Sequence, residues 1–205
     1  MQKIYIVDDD EAMRDSLTWL LEGEKHSVEC FASAEAFLEA LSDGMAGCLV
    51  LDVRMPEMSG LELHERLIAS GNHLPVIFIT GHGDVPMAVS ALQRGACDFV
   101  QKPFSDRDLL DRIGRALSVD SQQSAQRQRN QAILERASQV SGREYEVVRL
   151  VVEGKLNKQI ADELNISMKT VEAHRARAME KLGVKTMAEL VRISLALDRL
   201  DFKPN

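Results

Sequence analysis

The chain has 205 residues, 45% of them hydrophobic and 4% aromatic, which suits one large or two small globular domains with mainly aliphatic cores. No apolar run is long enough to span a bilayer, and the opening MQKIYIVDDDEAMRD passes from a short apolar stretch into acids, so we expect neither a membrane segment nor a signal peptide. The expected location is the cytoplasm, and the net charge of −7 argues against a nucleic-acid partner for the chain as a whole.

The charge is distributed unevenly along the chain. Residues 1–118 contain 10 Lys/Arg and 20 Asp/Glu, a net charge of −10, whereas residues 119–205 contain 15 and 12, a net charge of +3. An acidic N-terminal part and a mildly basic C-terminal part predict two domains with different partners. The three cysteines have neither metal-ligand spacing nor an even number, so we expect reduced thiols rather than a disulfide framework.

Short apolar strands alternate with amphipathic helices in residues 1–118. Five strands are predicted, KIYIVD, SVECF, CLVLD, PVIFIT and DFVQK, each followed by a helix, with Ser33 and Ser105 as helix N-caps. Continuous apolar strands such as CLVLD and PVIFIT favour a parallel sheet that is buried on both faces. The pattern predicts an α/β domain of the flavodoxin-like (βα)5 class, with its functional site at the carboxyl ends of the strands.

A polar segment separates the two halves. Residues 119–136 are rich in Gln, Ser, Arg and Ala and contain no large apolar residue between Val119 and Ile133. Because the segment also lacks Gly and Pro, we expect a helical linker that continues the preceding helix.

The predicted strand ends carry acids, a hydroxyl and an ammonium group: Asp8, Asp9 and Asp10 after the first strand, Asp52 at the third, Thr80 at the fourth and Lys102 at the fifth. Carboxylates crowded in one pocket repel each other unless a cation lies among them, and Mg²⁺ suits such oxygen ligands. A carboxylate can also act as the nucleophile in phosphoryl transfer, and Asp52 ends the most apolar strand. Lys102 would offset charge on phosphoryl oxygens, and Thr80 would donate a hydrogen bond to one of them.

The segments IVDDD, LDVRMPEMSG, ITGHGD and DFVQKPF together resemble the receiver domains of response regulators, over residues 1 to about 118. The resemblance implies that Asp8 and Asp9 form an acidic pair and that Asp52 is the phosphoacceptor. It also implies that Asp9, Asp52 and the carbonyl of Arg54 are ligands of Mg²⁺. Lys102 would be the phosphate-sensing cation, Thr80 the switch hydroxyl and Phe99 the switch aromatic. His82, near the pocket rim, is interpreted as a surface loop residue.

Residues 137–205 predict four helices. Ser141 and Glu144 form a capping box at the start of the first, REYEVVRLVVEG, which ends at Gly154. The helices NKQIADEL and MKTVEAHRARAMEKL follow, the latter opened by Ser167 or Thr170, and TMAELVRISLAL is the fourth. Two short helices, a tight turn and a longer basic helix are typical of a helix-turn-helix, whose second helix enters the DNA major groove.

The stretch 137–198 is similar to LuxR/NarL-type DNA-binding domains, which pair a GxxNKxIAxxL segment with a TVxxH recognition helix. Many members carry Lys directly after the Thr-Val pair, whereas this chain has Glu172, a carboxylate that can accept a hydrogen bond from cytosine N4. Ala161, Leu164, Val171 and Leu182 are expected on the core side. The residues expected at the DNA are Lys158, Lys169, Thr170, Glu172, Ala173, His174, Arg175, Arg177 and Lys181.

The run TGHGDVPMAV and the chain as a whole resemble the FixJ-type subgroup of response regulators. This resemblance implies a sensor histidine kinase as phosphoryl donor and promoter DNA as target, with RNA polymerase as a further partner. It also implies a homodimer, formed on phosphorylation through helix 4 and strand 5 (residues 85–94 and 98–102), and activation of transcription.

Three other functions use parts of the same pattern. An aspartate-nucleophile phosphatase would carry a second Asp two residues after the nucleophile, where this chain has Arg54, which cannot donate a proton usefully. A ligand-sensing DNA-binding protein of this class would have a different front domain, without the Asp, Thr and Lys set. A receiver that acts through protein contacts only would lack salt-sensitive, sequence-selective DNA binding by residues 137–205.

Overall fold

The computed structural model describes residues 2–42, 44–81 and 85–204, with no side-chain description for residues 85, 86 and 88. His82 lies outside the described residues. The chain divides into two compact units, Met1–Ser124 and Ala125–Asn205. The first unit therefore extends beyond the boundary at residue 118 that the sequence predicts.

The first unit is a parallel α/β sandwich with the strand order β2-β1-β3-β4-β5. Its strands are parallel in every described pair, and they alternate with helices along the chain as the sequence predicts. The elements are β1 (Lys3–Val7), α1 (Glu11–Gly23), β2 (Val28–Phe31), α2 (Ala34–Ala40), β3 (Gly47–Asp52), α3 (Gly60–Ala69), β4 (Val76–Thr80), α4 (Val85–Gln93), β5 (Asp98–Gln101) and α5 (Asp106–Ala137).

The sheet is covered on both faces, which explains its continuous apolar strands. Alternate residues of β3 lie in two different cores: Leu49 and Leu51 pack with residues of α2, α3 and α4. Cys48 and Val50 pack with residues of α1 and α5. Every residue of β3 is buried, so the strand that ends in Asp52 is held from both sides.

Short polar side chains fix where the helices begin. The Ser33 and Ser105 hydroxyls accept hydrogen bonds from the backbone N–H of Ala36 and Asp108, at 3.2 Å each, which confirms the predicted caps. Asp10 caps α1 by accepting from Ala12 N–H at 3.0 Å, so α1 begins at Glu11, earlier than the apolar spacing predicts.

The second unit contains the last turns of α5 and four helices: α6 (Gly142–Val152), α7 (Asn157–Leu164), α8 (Met168–Leu182) and α9 (Met187–Arg199). The bounds of α7 and α8 are those predicted, and Asn165, at φ 54°, makes the tight turn between them. Ser167 caps α8, and Ser141 and Glu144 form the predicted capping box of α6. The predicted core residues Ala161, Leu164, Val171 and Leu182 all pack in the core of this unit.

Within the described part of the chain, no helix combines the length and apolar character needed to cross a bilayer.

Candidate functional site

The strand order brings four polar side chains to one edge of the sheet. Asp8 follows β1, Asp52 ends the neighbouring β3, Thr80 ends β4 and Lys102 follows β5. The backbone keeps these ends in register, because Lys102 N–H donates to the Thr80 carbonyl at 2.8 Å. Strands β1 and β3 are neighbours that are not consecutive in the chain, so Asp8 and Asp52 flank the switch point where open α/β sheets bind their ligands.

Lys102 joins the two aspartates across this edge. Its Nζ lies 2.7 Å from Asp52 Oδ1 and 3.3 Å from Asp8 Oδ2. Asp8 is 2% exposed and Asp52 8% exposed, so both carboxylates are nearly buried. The peptide bond between Lys102 and Pro103 is cis. The structure thus brings together three of the residues that the sequence places at the site.

The electrostatics of the cluster follow from burial. Burial raises the pKa of the Asp52 carboxyl, and the hydrogen bond and positive charge of Lys102 offset only part of that rise. Burial lowers the pKa of the Lys102 ammonium, but pairing with Asp52 and Asp8 outweighs it and holds that pKa above its ordinary value. Two buried carboxylates facing one ammonium group favour the approach of a further cation.

Backbone hydrogen bonds and close packing hold the two aspartates in place. Asp52 Oδ2 accepts from Arg54 N–H at 2.7 Å, and Asp8 Oδ1 accepts from Asp10 N–H at 2.9 Å. Gly60, the first residue of α3, lies against Asp52: a Cβ at this position would stand 2.0 Å from the Asp52 carbonyl oxygen. No local pattern in the sequence indicates this close approach, which joins the start of α3 to the end of β3.

The other predicted side chains of this site, those of Asp9, Thr80 and Phe99, differ in their surroundings. Asp9 is exposed, and among the described residues no three acidic, His or Cys side chains form a ready-made metal-binding group. Thr80 is fully buried, and its hydroxyl donates to the Gly81 carbonyl at 3.1 Å. Phe99 is partly buried on β5 and packs against the core that contains Phe78, its partner on β4.

Helix α8 of the second unit presents a polar, mainly basic face. Lys169, Glu172, Ala173 and Arg177 are exposed on α8, as is Lys158 on α7. The other predicted DNA contacts on α8 are half-buried: Thr170, His174, Arg175 and Lys181. A helix with exposed cations that follows a tight turn has the form of the DNA-reading helix of a helix-turn-helix.

Several of these α8 side chains also have partners within the unit. The Thr170 hydroxyl lies 2.8 Å from that of Ser167, at the helix cap. The Glu172 carboxylate accepts a long hydrogen bond of 3.4 Å from the Asn157 amide. The Nδ1 atom of His174 is buried without a hydrogen-bond partner among the described residues.

Lys181 has a strong partner that the sequence did not indicate. Its Nζ lies 2.6 Å from Glu144 Oε2, and the Glu144 side chain is only 4% exposed. The same carboxylate accepts from Ser141 N–H at 2.9 Å in the capping box of α6. Burial raises the pKa of Glu144, but the hydrogen bonds from Lys181 and Ser141 outweigh it, so the pKa lies below its ordinary value. The pair ties α8 to α6.

The chain matches two protein families. Residues 4–114 match the response regulator receiver domain, and residues 138–194 match the luxR family of bacterial regulatory proteins. The response regulator protein TodT of Pseudomonas putida is 46% identical over 191 residues, covering 93% of this chain and 84% of TodT. The transcriptional regulatory protein FixJ of Bradyrhizobium diazoefficiens is 41% identical over 198 residues, covering 97% of each chain.

A solved structure has the same fold over nearly the whole chain. The response regulator StyR superposes with a TM-score of 0.88 at 42% sequence identity, covering 95% of this chain and 98% of StyR. These likenesses place the chain among response regulator transcription factors, which are not a family of catalytic enzymes. The chain therefore belongs to the two-component response regulators, in which a receiver domain is joined to a LuxR-type DNA-binding domain that regulates transcription.

Proposed function

We propose that Asp52 accepts a phosphoryl group from a sensor histidine kinase and that the phosphorylated chain binds promoter DNA as a homodimer to activate transcription. One observation carries the proposal. Lys102 bridges the nearly buried carboxylates of Asp8 and Asp52 at the switch point of the sheet, 2.7 Å from Asp52. This arrangement provides an oxygen nucleophile and, beside it, a cation for the charge of an incoming phosphoryl group.

The chemistry of the transfer is simple in outline. A carboxylate oxygen of Asp52 forms a bond to phosphorus while the phosphorus–nitrogen bond of the kinase phosphohistidine breaks and the imidazole leaves. The Lys102 ammonium lies where it would pair with the phosphoryl oxygens. The Arg54 N–H already donates to Asp52 and keeps the carboxylate oriented.

The donor set fits Mg²⁺, a hard cation that prefers carboxylate and carbonyl oxygens. Asp9, Asp52 and the carbonyl oxygen of Arg54 would hold the ion, with Asp8 beside them, and the excess of buried negative charge favours this. When bound, Mg²⁺ neutralises charge on the transferring group.

Phosphorylation would be read out through Thr80 and Phe99. The buried Thr80 hydroxyl turns toward the phosphoryl group, and Phe99 moves further into the core, so that a local charge event biases the surface formed by α4 and β5. Helix α4 exposes the apolar side chains of Met87 (42%) and Val89 (43%), which suits the homodimer face proposed over residues 85–94 and 98–102.

The dimer would place two α8 helices on successive half-sites of promoter DNA in the cytoplasm, where RNA polymerase is the further partner. The cations Lys158, Lys169, Arg175 and Arg177 would contact phosphates or guanines, while Glu172 reads a base. The long Asn157–Glu172 contact would break easily as Glu172 turns toward the groove.

The test is DNA footprinting on duplexes selected from a random pool, with and without acetyl phosphate. We expect protection of two half-sites about one DNA turn apart, at lower protein concentration when the phosphodonor is present. Asp52→Asn should remove the effect of the donor and leave the weaker binding. Equal donor dependence in the Asp52→Asn chain would overturn the proposal.

A further inference from the structure

Asp120 is a buried carboxylate in a segment where the sequence predicts only a polar linker. It is 1% exposed and lies on α5, within the first unit. On the same face, Leu109, Ile113 and Ala116 are fully buried at helical spacing. Asp120 takes the next place in this stripe, where an apolar residue would cost no desolvation.

The carboxylate of Asp120 connects α5 to the amino-terminal edge of the sheet. Its Oδ2 accepts from Gly47 N–H at 2.9 Å and from Gln2 Nε2 at 3.0 Å. Gln2 Nε2 also donates to the Leu117 carbonyl, at 2.7 Å. These hydrogen bonds join one side-chain oxygen to the first residue of β3 and to the residue before β1.

The position of the main donor is fixed. Gly47 is paired with Lys3 of β1 in the sheet, and at φ +133° a Cβ there would stand 1.7 Å from the Lys3 carbonyl oxygen, so the sheet holds this backbone N–H at close quarters. Apolar packing tolerates small rotations and shifts of a helix, whereas hydrogen bonds to fixed donors do not. Asp120 therefore sets the rotation and axial register of α5 against the sheet.

Both strand β3 and helix α5 lead to functional parts of the chain. Strand β3 is buried throughout and ends in Asp52. Helix α5 continues along the chain to Ala137, which is 1% exposed in the core of the second unit. The hydrogen bond between Gly47, at the start of β3, and Asp120 of α5, called the register lock below, thus acts on the two elements that phosphorylation and DNA binding depend on.

We propose that Asp120 is a positioning residue that couples the state of Asp52 to DNA binding by holding α5 in register with β3. This inference rests on the proposed function, because it presumes that Asp52 is phosphorylated. The lock does not take part in phosphoryl transfer or in base recognition. Loss of these hydrogen bonds should therefore leave both phosphorylation of Asp52 and DNA binding in place, but DNA binding should no longer respond to phosphorylation.

The experiment uses the full chain and a fluorescent duplex selected by the phosphorylated wild type. The measured quantity is the ratio of DNA affinities with and without acetyl phosphate, which ordinary coupling energies place at about 5 to 150. Asp120→Leu continues the apolar stripe but lacks the hydrogen bonds, so we expect normal labelling of Asp52 and a ratio close to one. Asp120→Asn keeps an acceptor oxygen for Gly47 and Gln2, so we expect it to retain most of the wild-type ratio.

Two further variants keep the test decisive. Gln122→Leu, on the exposed face of the same helix, is the matched control and should leave the ratio unchanged. Gln2→Ala removes one donor from an exposed position, so it should fold and lower the ratio even where Asp120→Leu does not fold. Wild-type ratios in both Gln2→Ala and any folded Asp120→Leu chain would overturn this inference alone, whereas an unlabelled wild type would overturn the proposed function.

Discussion

Replacing Gly60 by Ala is expected to disturb Asp52 from outside the site itself. The added Cβ would stand 2.0 Å from the Asp52 carbonyl oxygen and 3.0 Å from Leu51 Cγ, whereas ordinary contact begins at 3.4 Å. The carbonyl contact is therefore too short by about 1.4 Å, the difference between 3.4 and 2.0 Å, and no flexible side-chain end can absorb it. Either the end of β3 or the start of α3 must shift.

The expected magnitudes follow from that displacement. Overpacking of this kind costs about 1–3 kcal/mol of unfolding free energy. A misplacement of about 1 Å at a reacting group lowers its rate by roughly 100-fold. We therefore expect Gly60→Ala to slow labelling of Asp52 by acetyl phosphate about 100-fold while the donor-independent binding of DNA is unchanged.

The assay compares Gly60→Ala with Gly114→Ala, which makes the same substitution in helix α5. A Cβ at Gly114 meets nothing within 4 Å, so this control should gain about 0.5–1 kcal/mol of stability and keep the wild-type labelling rate. Labelling rates and urea denaturation curves are measured for both. If Gly60→Ala labels as fast as Gly114→Ala, the close packing of α3 against Asp52 does not position the nucleophile.

Four further substitutions test the charges of the two units. Asp52→Asn should raise the unfolding free energy at pH 7 by about 0.5–2 kcal/mol, since burial raises the Asp52 pKa and its ionised form opposes folding. Because the folded pKa lies above the unfolded one, the Asp52 carboxyl destabilises the fold increasingly as pH rises from the ordinary Asp pKa of about 3.9 through the raised folded pKa, so the gain in urea denaturation should vanish in acid. Lys102→Met leaves the carboxylates of Asp8 and Asp52 without their shared ammonium, so added Mg²⁺ should raise the melting temperature more than in the wild type. Lys181→Met removes the tie between α8 and α6 and should weaken DNA binding, but it should not change how steeply affinity falls with salt concentration, because this ammonium is held by the buried Glu144. Lys169→Met removes an exposed cation and should reduce that salt slope by about one.

Each of these predictions would be contradicted by a specific outcome. An Asp52→Asn chain no more stable than the wild type at pH 7 would mean that the ionised carboxylate is well tolerated in the fold. Equal Mg²⁺ responses of the wild type and Lys102→Met would argue that Lys102 does not oppose cation binding. A salt slope reduced equally by Lys181→Met and Lys169→Met would show that both cations reach DNA phosphates.

Local signals in the sequence predicted most of the secondary structure. Helix α7 ends at the turn residue Asn165 and helix α8 begins after the Ser167 cap, as predicted, because turns and caps are decided by neighbours in the chain. The strand ends were equally clear from the sequence. Because the carboxyl ends of parallel strands meet at one edge of the sheet, Asp8, Asp52 and Lys102 were expected to lie together, and they do. The start of α1 was predicted too late because the apolar spacing begins at Met13, whereas Asp10 caps the helix and starts it at Glu11.

Contacts between distant parts of the chain were not predictable in the same way. Glu144 reads as a capping residue, and nothing near it in the sequence indicates that Lys181 is its partner. Asp120 interrupts an apolar stripe, so the sequence pattern indicates that the first domain ends before it. In the structure, hydrogen bonds from Gln2 and Gly47 keep Asp120 inside the first unit. Such pairings depend on the register between elements, which single-sequence periodicity does not contain.

Everything proposed for this chain depends on one carboxylate, that of Asp52, receiving the phosphoryl group. The most direct measurement treats the full chain with acetyl phosphate and Mg²⁺, reduces the acyl phosphate with borohydride and maps the altered residue by peptide mass spectrometry. We expect a single modified site, at Asp52, which is absent when Mg²⁺ is removed. Modification at Asp8, Asp9 or any other residue, with Asp52 unchanged, would contradict it.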